Sequence, residues 1–388
     1  MEQFKKNTLD YLKNNNDFIP PKNSRTILFE KMKMFIKPNC DILEPCAKTG
    51  EFVSQLFDID ISFNLTILEE NKILFDKLSN DYNCTVNNTN FLKISKPHNF
   101  KKFDIILGSP PSKIIDKKTI IGNLFKHWFI DKTDIYSLYF MRAIDLIKND
   151  GYIAFIIPDT IFNSPYLQLL RNKISSKGRI IFLQRLSNLF TKTTYNTILI
   201  IFQKNKTSPD EYKYISNKQT FYHIQPTMYR NIFKDSTFFS SIHIKISKGL
   251  IRKNIHKRTN NIKHIPIIYT KNIIDNRLRL YRNNKQYIDP TISPPIQNKP
   301  SLLISKVYGS AHDEFKINFS YCTLDKYVCN ENLFVITFPN LNNEDSIIFI
   351  HKIIRSLNLK KTREWERNFL KNGIITKFQI KHYLPLFF

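Results

Sequence analysis

Phe103-Asp104-Ile105-Ile106-Leu107-Gly108-Ser109-Pro110-Pro111-Ser112 is the stretch on which the fold turns. A run of mostly β-branched or large apolar residues stops abruptly at Gly-Ser-Pro-Pro, the pattern of a buried strand closed by a rigid turn. Consecutive prolines fix φ and remove two backbone donors, so nearby carbonyls face outward with no ladder to join. Ser109 then presents a hydroxyl at the carboxyl end of a strand, where open α/β sheets place their ligands. A β-turn with a capping serine accounts for the same ten letters, so the rest of the chain has to choose between the two readings.

Sixty residues upstream, Asp41-Ile42-Leu43-Glu44-Pro45-Cys46-Ala47-Lys48-Thr49-Gly50-Glu51-Phe52 repeats the arrangement. A short apolar strand runs into a glycine turn and then into helical spacing at Phe52, Val53, Leu56 and Phe57. Such a turn aims backbone N–H groups at a bound cofactor. A third strand, Leu65 to Leu68, ends in Glu69-Glu70, a carboxylate suited to gripping ribose hydroxyls. Strands at 41–44, 64–68, Cys84–Val86, 103–107, 152–157, 180–183 and 197–202 alternate with helical patterns at 51–57, 71–79, 135–147 and 168–174. The alternation predicts an α/β fold with a mainly parallel sheet covered on both faces. Upstream, helical patterns run to Asn16 and from Ser24 to Phe35, separated by Phe18-Ile19-Pro20-Pro21.

In order and spacing these motifs resemble the gamma-class, TaqI-like DNA amino-methyltransferases, whose series is Glu-Pro…Gly-x-Phe, an acid, Asp-Phe, then Asn-Pro-Pro-Tyr. Here it reads Glu44-Pro45…Gly50…Phe52, Glu69, Asn90-Phe91 and Ser109-Pro110-Pro111-Ser112. The resemblance covers residues 18–204 and implies a Rossmann-like methyltransferase sheet whose last two strands form an antiparallel pair. It implies S-adenosylmethionine as cofactor, held by Pro21, Glu44, Pro45, Gly50, Phe52, Glu69, Asn90 and Phe91. It also implies methyl transfer to adenine N6 of duplex DNA after base flipping. Ser109, Pro110, Pro111 and Ser112 would form the catalytic loop, and Phe190 a stacking wall for the flipped base. Phe91 reads equally as an adenine-stacking residue or as a core phenylalanine, and Phe18 to Pro21 equally as a helix-to-helix turn.

An exocyclic amino nitrogen is a poor nucleophile because its lone pair is delocalised into the base. In the resembling family the first motif residue and the following carbonyl accept its hydrogens; here these are the Ser109 hydroxyl oxygen and the Pro110 carbonyl. Three positions depart from the pattern: Ser112 stands in place of an aromatic, Lys48 in place of a small residue, and Asn90 in place of an aspartate. The Asn90 amide oxygen can still accept a hydrogen bond from an adenine amino group. Ser-Pro-Pro is commoner among cytosine-N4 enzymes, which makes N4 transfer the alternative reading. A DNA-binding protein that kept the fold and lost activity is a second alternative.

Composition bounds the rest. The chain has 388 residues, 42% of them hydrophobic, enough for two cored domains. It has no apolar run long enough to cross a membrane, and its first residues lack a signal-peptide core, so an intracellular, cytoplasmic protein is expected. The five cysteines form no CxxC pair, so neither a zinc site nor a disulfide framework is indicated. The formal charge of +26 is uneven: residues 1–205 hold 29 Lys and Arg against 20 Asp and Glu (+9), and residues 206–388 hold 30 against 13 (+17). Richness in Asn, Ile, Lys and Phe is also what an AT-rich coding genome produces. The division expected is a methyltransferase domain over 1–206 and a basic α+β target-recognition domain over 207–388, placed along the phosphates of duplex DNA. The tail, from a helix at 345–357 to Leu386, is similar to the carboxyl ends of bacterial and viral type II adenine methyltransferases. A cognate restriction endonuclease is one partner the resemblance admits.

Overall fold

A computed structural model describes residues 19–94, 100–186, 196–205, 209–249, 258–281, 286–289, 296–306, 316–370 and 374–388. Phe18, Phe190 and the helix expected before Asn16 lie outside the described residues. By its internal contacts the chain divides into two units, Met1–Ile215 with Gln219–Pro226, and Ser216–Lys218 with Thr227–Phe388. The division falls past the change of composition at 206–207. The hairpin Lys213–Ser216/Gln219–Tyr222 stays largely with the first unit, where the Thr220 carbonyl accepts a hydrogen bond from the buried Arg171 (2.9 Å).

The first unit is built on seven strands: β1 (Asp41–Glu44), β2 (Asn64–Leu68), β3 (Thr85–Asn87), β4 (Phe103–Gly108), β5 (Ile147–Pro158), β6 (Gly178–Leu186) and β7 (Thr197–Lys204). Their order is β3-β2-β1-β4-β5-β7-β6. The first five run parallel, and β7 is antiparallel to both neighbours. This is the Rossmann-like methyltransferase sheet, closing antiparallel pair included. Strand order reverses between β1 and β4, so the ligand crevice of such a sheet opens at their carboxyl ends. Glu44 is the last residue of β1, and Ser109 follows the last residue of β4.

Both faces are apolar because both are covered. On one side lie α1 (Lys22–Met32), α2 (Glu51–Phe57) and α3 (Lys72–Asp81), whose Leu28, Met32, Phe52, Val53, Leu56 and Leu78 pack with Ile42, Ile105 and Leu107 of the sheet. On the other lie α4 (Ile135–Leu146) and α5 (Gln168–Lys177), packed with Leu43, Ile106, Ile153 and Phe155. Period-two alternation of strand side chains sends neighbours such as Ile42 and Leu43 to opposite cores. Asn71 and Asp134 accept hydrogen bonds from the backbone N–H groups that open α3 and α4.

One difference from the sequence reading lies at Asn149-Asp150-Gly151, between the helical pattern ending at 147 and the strand expected from 152. β5 already begins at Ile147 and carries these residues as an irregularity, with Asp150 at φ 63° and a shift of register against β4.

The second unit is α+β. Strands β8 (Lys245–Lys248), β9 (Ser301–Ser305), β10 (Phe319–Cys322) and β11 (Leu333–Thr337) form an antiparallel sheet of order β8-β11-β9-β10. Its helices include α6 (Asn343–Leu357), α7 (Lys360–Phe369) and α8 (Lys377–His382). Trp365 is fully buried and stacks on Phe369, which meets Tyr383 edge-on. A capping box between Thr376 and Gln379 opens α8. No helix among the described residues is long and apolar enough to cross a membrane.

Candidate active site

The neighbouring ends of β2, β1 and β4 form the site. After β1, the turn Pro45 to Gly50 is held by a hydrogen bond from Ala47 N–H to the Leu68 carbonyl (3.2 Å) and another from Gly50 N–H to the Ala47 carbonyl (2.9 Å). Gly50 has φ 88°, a backbone conformation that other residues adopt only under strain, so the turn calls for glycine. Lys48 also takes a left-handed backbone, φ 54°, without being glycine. Its N–H donates to Glu69 Oε2 (2.8 Å), and Glu69 Oε1 accepts the N–H of Asn71 (2.8 Å). The acid at the end of β2 thereby fixes the turn after β1.

Glu44 is fully buried, beside Gly108, and neither of its carboxylate oxygens has a hydrogen-bond partner. Burial pushes its carboxyl well above the usual range; Glu51 and Glu69 reinforce the shift, and Lys48 and Arg25 oppose it. Buried polar atoms without partners are rare enough to call for an explanation. A bound donor or cation at this strand end would supply one.

After β4, Gly108 has φ 147°, and Ser109 follows with its hydroxyl donating to the Ile156 carbonyl of β5 (3.3 Å). The proton of Ser109 is therefore turned toward the sheet, which leaves lone pairs of its oxygen for another donor. Beyond the two prolines, Ser112 donates to Asp134 Oδ2 (2.7 Å), and Lys113 N–H donates to Asp134 Oδ1 (3.0 Å). Asp134 is 7% exposed and also caps α4, so one carboxylate ties the Pro-Pro loop to the helix behind it. Burial pushes its carboxyl up, against the hydrogen bonds it accepts from Ser112, Tyr136 and Lys113.

Of the expected site residues, Pro45, Glu69, Asn90, Phe91 and Pro111 line one cavity, together with Lys48 and Tyr139. Asn90 Oδ1 accepts the Leu92 N–H (2.8 Å), and Phe91 is fully buried with its ring 5.4 Å from that of Tyr139. Glu44, Gly50, Ser109, Pro110 and Ser112 belong to the two turns that frame the cavity. Phe52 and Pro21 are not brought to it: Phe52 packs under the sheet 6.1 Å from Phe29, and Pro21 is the residue before α1. Sequence reading missed Asp134; an aspartate directly before a helical pattern announces a cap, and nothing local to it announces its bonds to Ser112 and Lys113.

The donor set fits S-adenosylmethionine, with a carboxylate suited to ribose, an amide oxygen and an aromatic side chain around one cavity, and an orphaned acid at the adjoining strand end. Lys48 is the discordant member, a cation 5% exposed whose Nζ donates to the Ser109 carbonyl (3.2 Å).

Residues 15–190 match the Eco57I restriction-modification methylase family. Modification methylase CviBIII of Paramecium bursaria Chlorella virus NC1A is 25% identical over 381 residues, covering 95% of this chain and 93% of that protein. The type II methyltransferase M.HincII of Haemophilus influenzae is 25% identical over 177 residues, 43% of this chain and 33% of its own. Among solved structures, the type IIG restriction endonuclease BpuSI aligns with a TM-score of 0.46 at 10% identity, over 95% of this chain and 58% of that one. The resemblance to type II DNA methyltransferases, and with it S-adenosylmethionine as cofactor, holds.

Proposed function

We propose that the chain, a relative of type II DNA methyltransferases, methylates the N6 amino group of adenine in duplex DNA at a defined sequence, after flipping the base. The observation that carries the reading is the hydrogen bond from Ser109 to Ile156 (3.3 Å), which turns the hydroxyl's proton inward and leaves its oxygen as an acceptor. With the Pro110 carbonyl, it takes both hydrogens of the amino group and draws the nitrogen toward tetrahedral geometry. Pro111 stiffens the loop, and Asp134 anchors it through Ser112. S-adenosylmethionine supplies an electrophilic methyl on a sulfonium. The contribution of this chain is positioning and electrostatic stabilisation, with no covalent intermediate on the protein. Glu69 holds the ribose hydroxyls while its remaining lone pairs keep the Lys48 and Asn71 N–H groups in place.

The +17 excess in residues 206–388 supports contact of that region with the phosphates of the duplex. Affinity for DNA should therefore fall steeply as salt rises. Salt-insensitive binding would remove this assignment.

One observation favours a second reading. Serine stands at position 109 where the adenine-type series has asparagine, and Ser-Pro-Pro is commoner among cytosine-N4 enzymes, so transfer to cytosine N4 competes. Tritiated methyl transfer to unmethylated DNA, followed by nucleoside mass spectrometry, separates the two. N6-methyladenine is expected and N4-methylcytosine would hand the site to the alternative. Binding of both cofactor and DNA with no methylated base formed would identify a silent DNA-binding protein on this fold.

A further inference from the structure

Lys48 is a lysine where the geometry is least hospitable to one. Its backbone is left-handed, its N–H is fixed by Glu69 (2.8 Å), its side chain is 5% exposed, and its Nζ is held by the Ser109 carbonyl (3.2 Å). The side chain thus runs from the turn after β1 to the loop after β4, along the cavity lined by Glu69, Asn90, Phe91 and Pro111.

The inference rests on the proposed role of Ser109 and Pro110. A methyl group passed to an amino nitrogen held there must leave a sulfur close to these residues, and so close to the Lys48 ammonium. We propose that Lys48 makes the cofactor site discriminate by charge, favouring the neutral thioether, S-adenosylhomocysteine, over the cationic sulfonium. The two ligands share their adenosine, ammonium and carboxylate, so every contact to those parts cancels in the comparison. What remains is one positive charge, set beside another in a site withdrawn from water, where like charges repel far more strongly than in bulk solvent. Glu69 and Glu70 line the same cavity as Lys48, and the buried Glu44 feels Lys48 together with Glu51, Glu69 and Arg25. They set absolute affinity, but removing Lys48 changes the difference between the two ligands in one direction only. The consequence for turnover is a site that retains its product and depends on its removal.

The test is calorimetry on the full chain with S-adenosylhomocysteine, S-adenosylmethionine and sinefungin, which carries an amine at the sulfonium position and transfers no methyl. Wild type should bind the thioether most tightly. Lys48→Met, similar in length and uncharged, should narrow the preference for thioether over either cationic ligand about tenfold, the effect of one nearby charge at intermediate dielectric. Lys48→Arg should retain the preference. An unchanged ratio in Lys48→Met overturns the proposal. So does equal strengthening of all three ligands in Lys48→Met and Lys48→Ala, which would make Lys48 an obstruction by bulk. Failure of wild type and every variant to bind any of the three removes the cofactor site itself, and this inference with it.

Discussion

β1 and β4 lie side by side, and their two ends treat carboxylates in opposite ways. At the amino end, Asp41 is bound by Lys101 (2.6 Å) and Lys148 (2.9 Å), and Lys148 also reaches Asp104 (2.8 Å). Asp104 in turn accepts the Asp41 N–H (2.8 Å). Burial would raise the Asp41 carboxyl, but the hydrogen bonds from Lys101 and Lys148 overcome it and hold it at about 2. At the carboxyl end, three residues along the same strand, Glu44 is fully buried and its oxygens have no hydrogen-bond partner. One end is a closed ion network that secures two strands. The other keeps an acid in a costly environment, at the point where the strand order reverses and a ligand is due. Separating stability from function along a single short strand is the economy of this sheet.

Substitutions at the two ends should therefore fail differently. The largest effect is expected at Ser109→Ala, which removes the proposed acceptor of the amino hydrogens. Methyl transfer should slow by about two to three orders of magnitude, with cofactor binding and melting temperature nearly unchanged. A melting temperature that falls along with the rate would turn Ser109 into a structural residue. Next comes Glu69→Ala, which takes the proposed acceptor from the ribose and the observed one from the Lys48 and Asn71 N–H groups. Loss of charge-assisted hydrogen bonds worth ~1.5–3 kcal/mol predicts at least tenfold weaker binding of S-adenosylhomocysteine. Equal affinity in mutant and wild type would detach the β2 end from the cofactor.

Two smaller effects sharpen the contrast because their pH dependences have opposite signs. The folded-state pKa of Glu44 is raised, so the folded protein keeps a proton that the unfolded chain releases near pH 4.5, and stability declines as pH rises above that value. Glu44→Gln should make the ligand-free protein more stable at neutral pH, by a margin that shrinks as pH falls toward 4.5. Asp41 is depressed to about 2, so its contribution is present above the unfolded value of 3.8 and lost as pH falls toward 2. Asp41→Asn should destabilise at neutral pH, modestly because Lys101 and Lys148 are partly exposed, and the deficit should fade in acid. Thermal melts of both variants from pH 3 to 8 check the pair. Parallel pH profiles would erase the distinction between the two ends.

How much of this was legible in the sequence depends on how local each cause is. β1 and α2 occupy the residues their apolar spacing indicates, because both faces of the sheet are covered and every strand position is constrained. The strand ends Glu44, Glu69 and Ser109 were legible for the same reason: a proline, a glycine or a pair of acids marks each stop. What the sequence conceals is which side chain reaches across. The bond of Lys48 to Ser109 spans sixty-one residues, and that of Ser112 to Asp134 twenty-two. Neither has a periodicity to betray it. Phe52 shows the converse, since its place in the motif series suggests a cofactor contact and its helix face sends it into the core. In the second unit most strands are two to four residues long, too short for alternation to separate them from loop, whereas the five-residue β9 and β11 and the α6 pattern are long enough to read.

In the proposed reaction the turn after β1, the acid after β2 and the loop after β4 make one cofactor-and-base site. A crystal structure of the full chain with S-adenosylhomocysteine tests it most directly. The ribose hydroxyls should lie on Glu69 and the sulfur should face Ser109 and Pro110, with the Lys48 ammonium beside it. A ribose held away from Glu69, or a sulfur turned from Ser109, would contradict it.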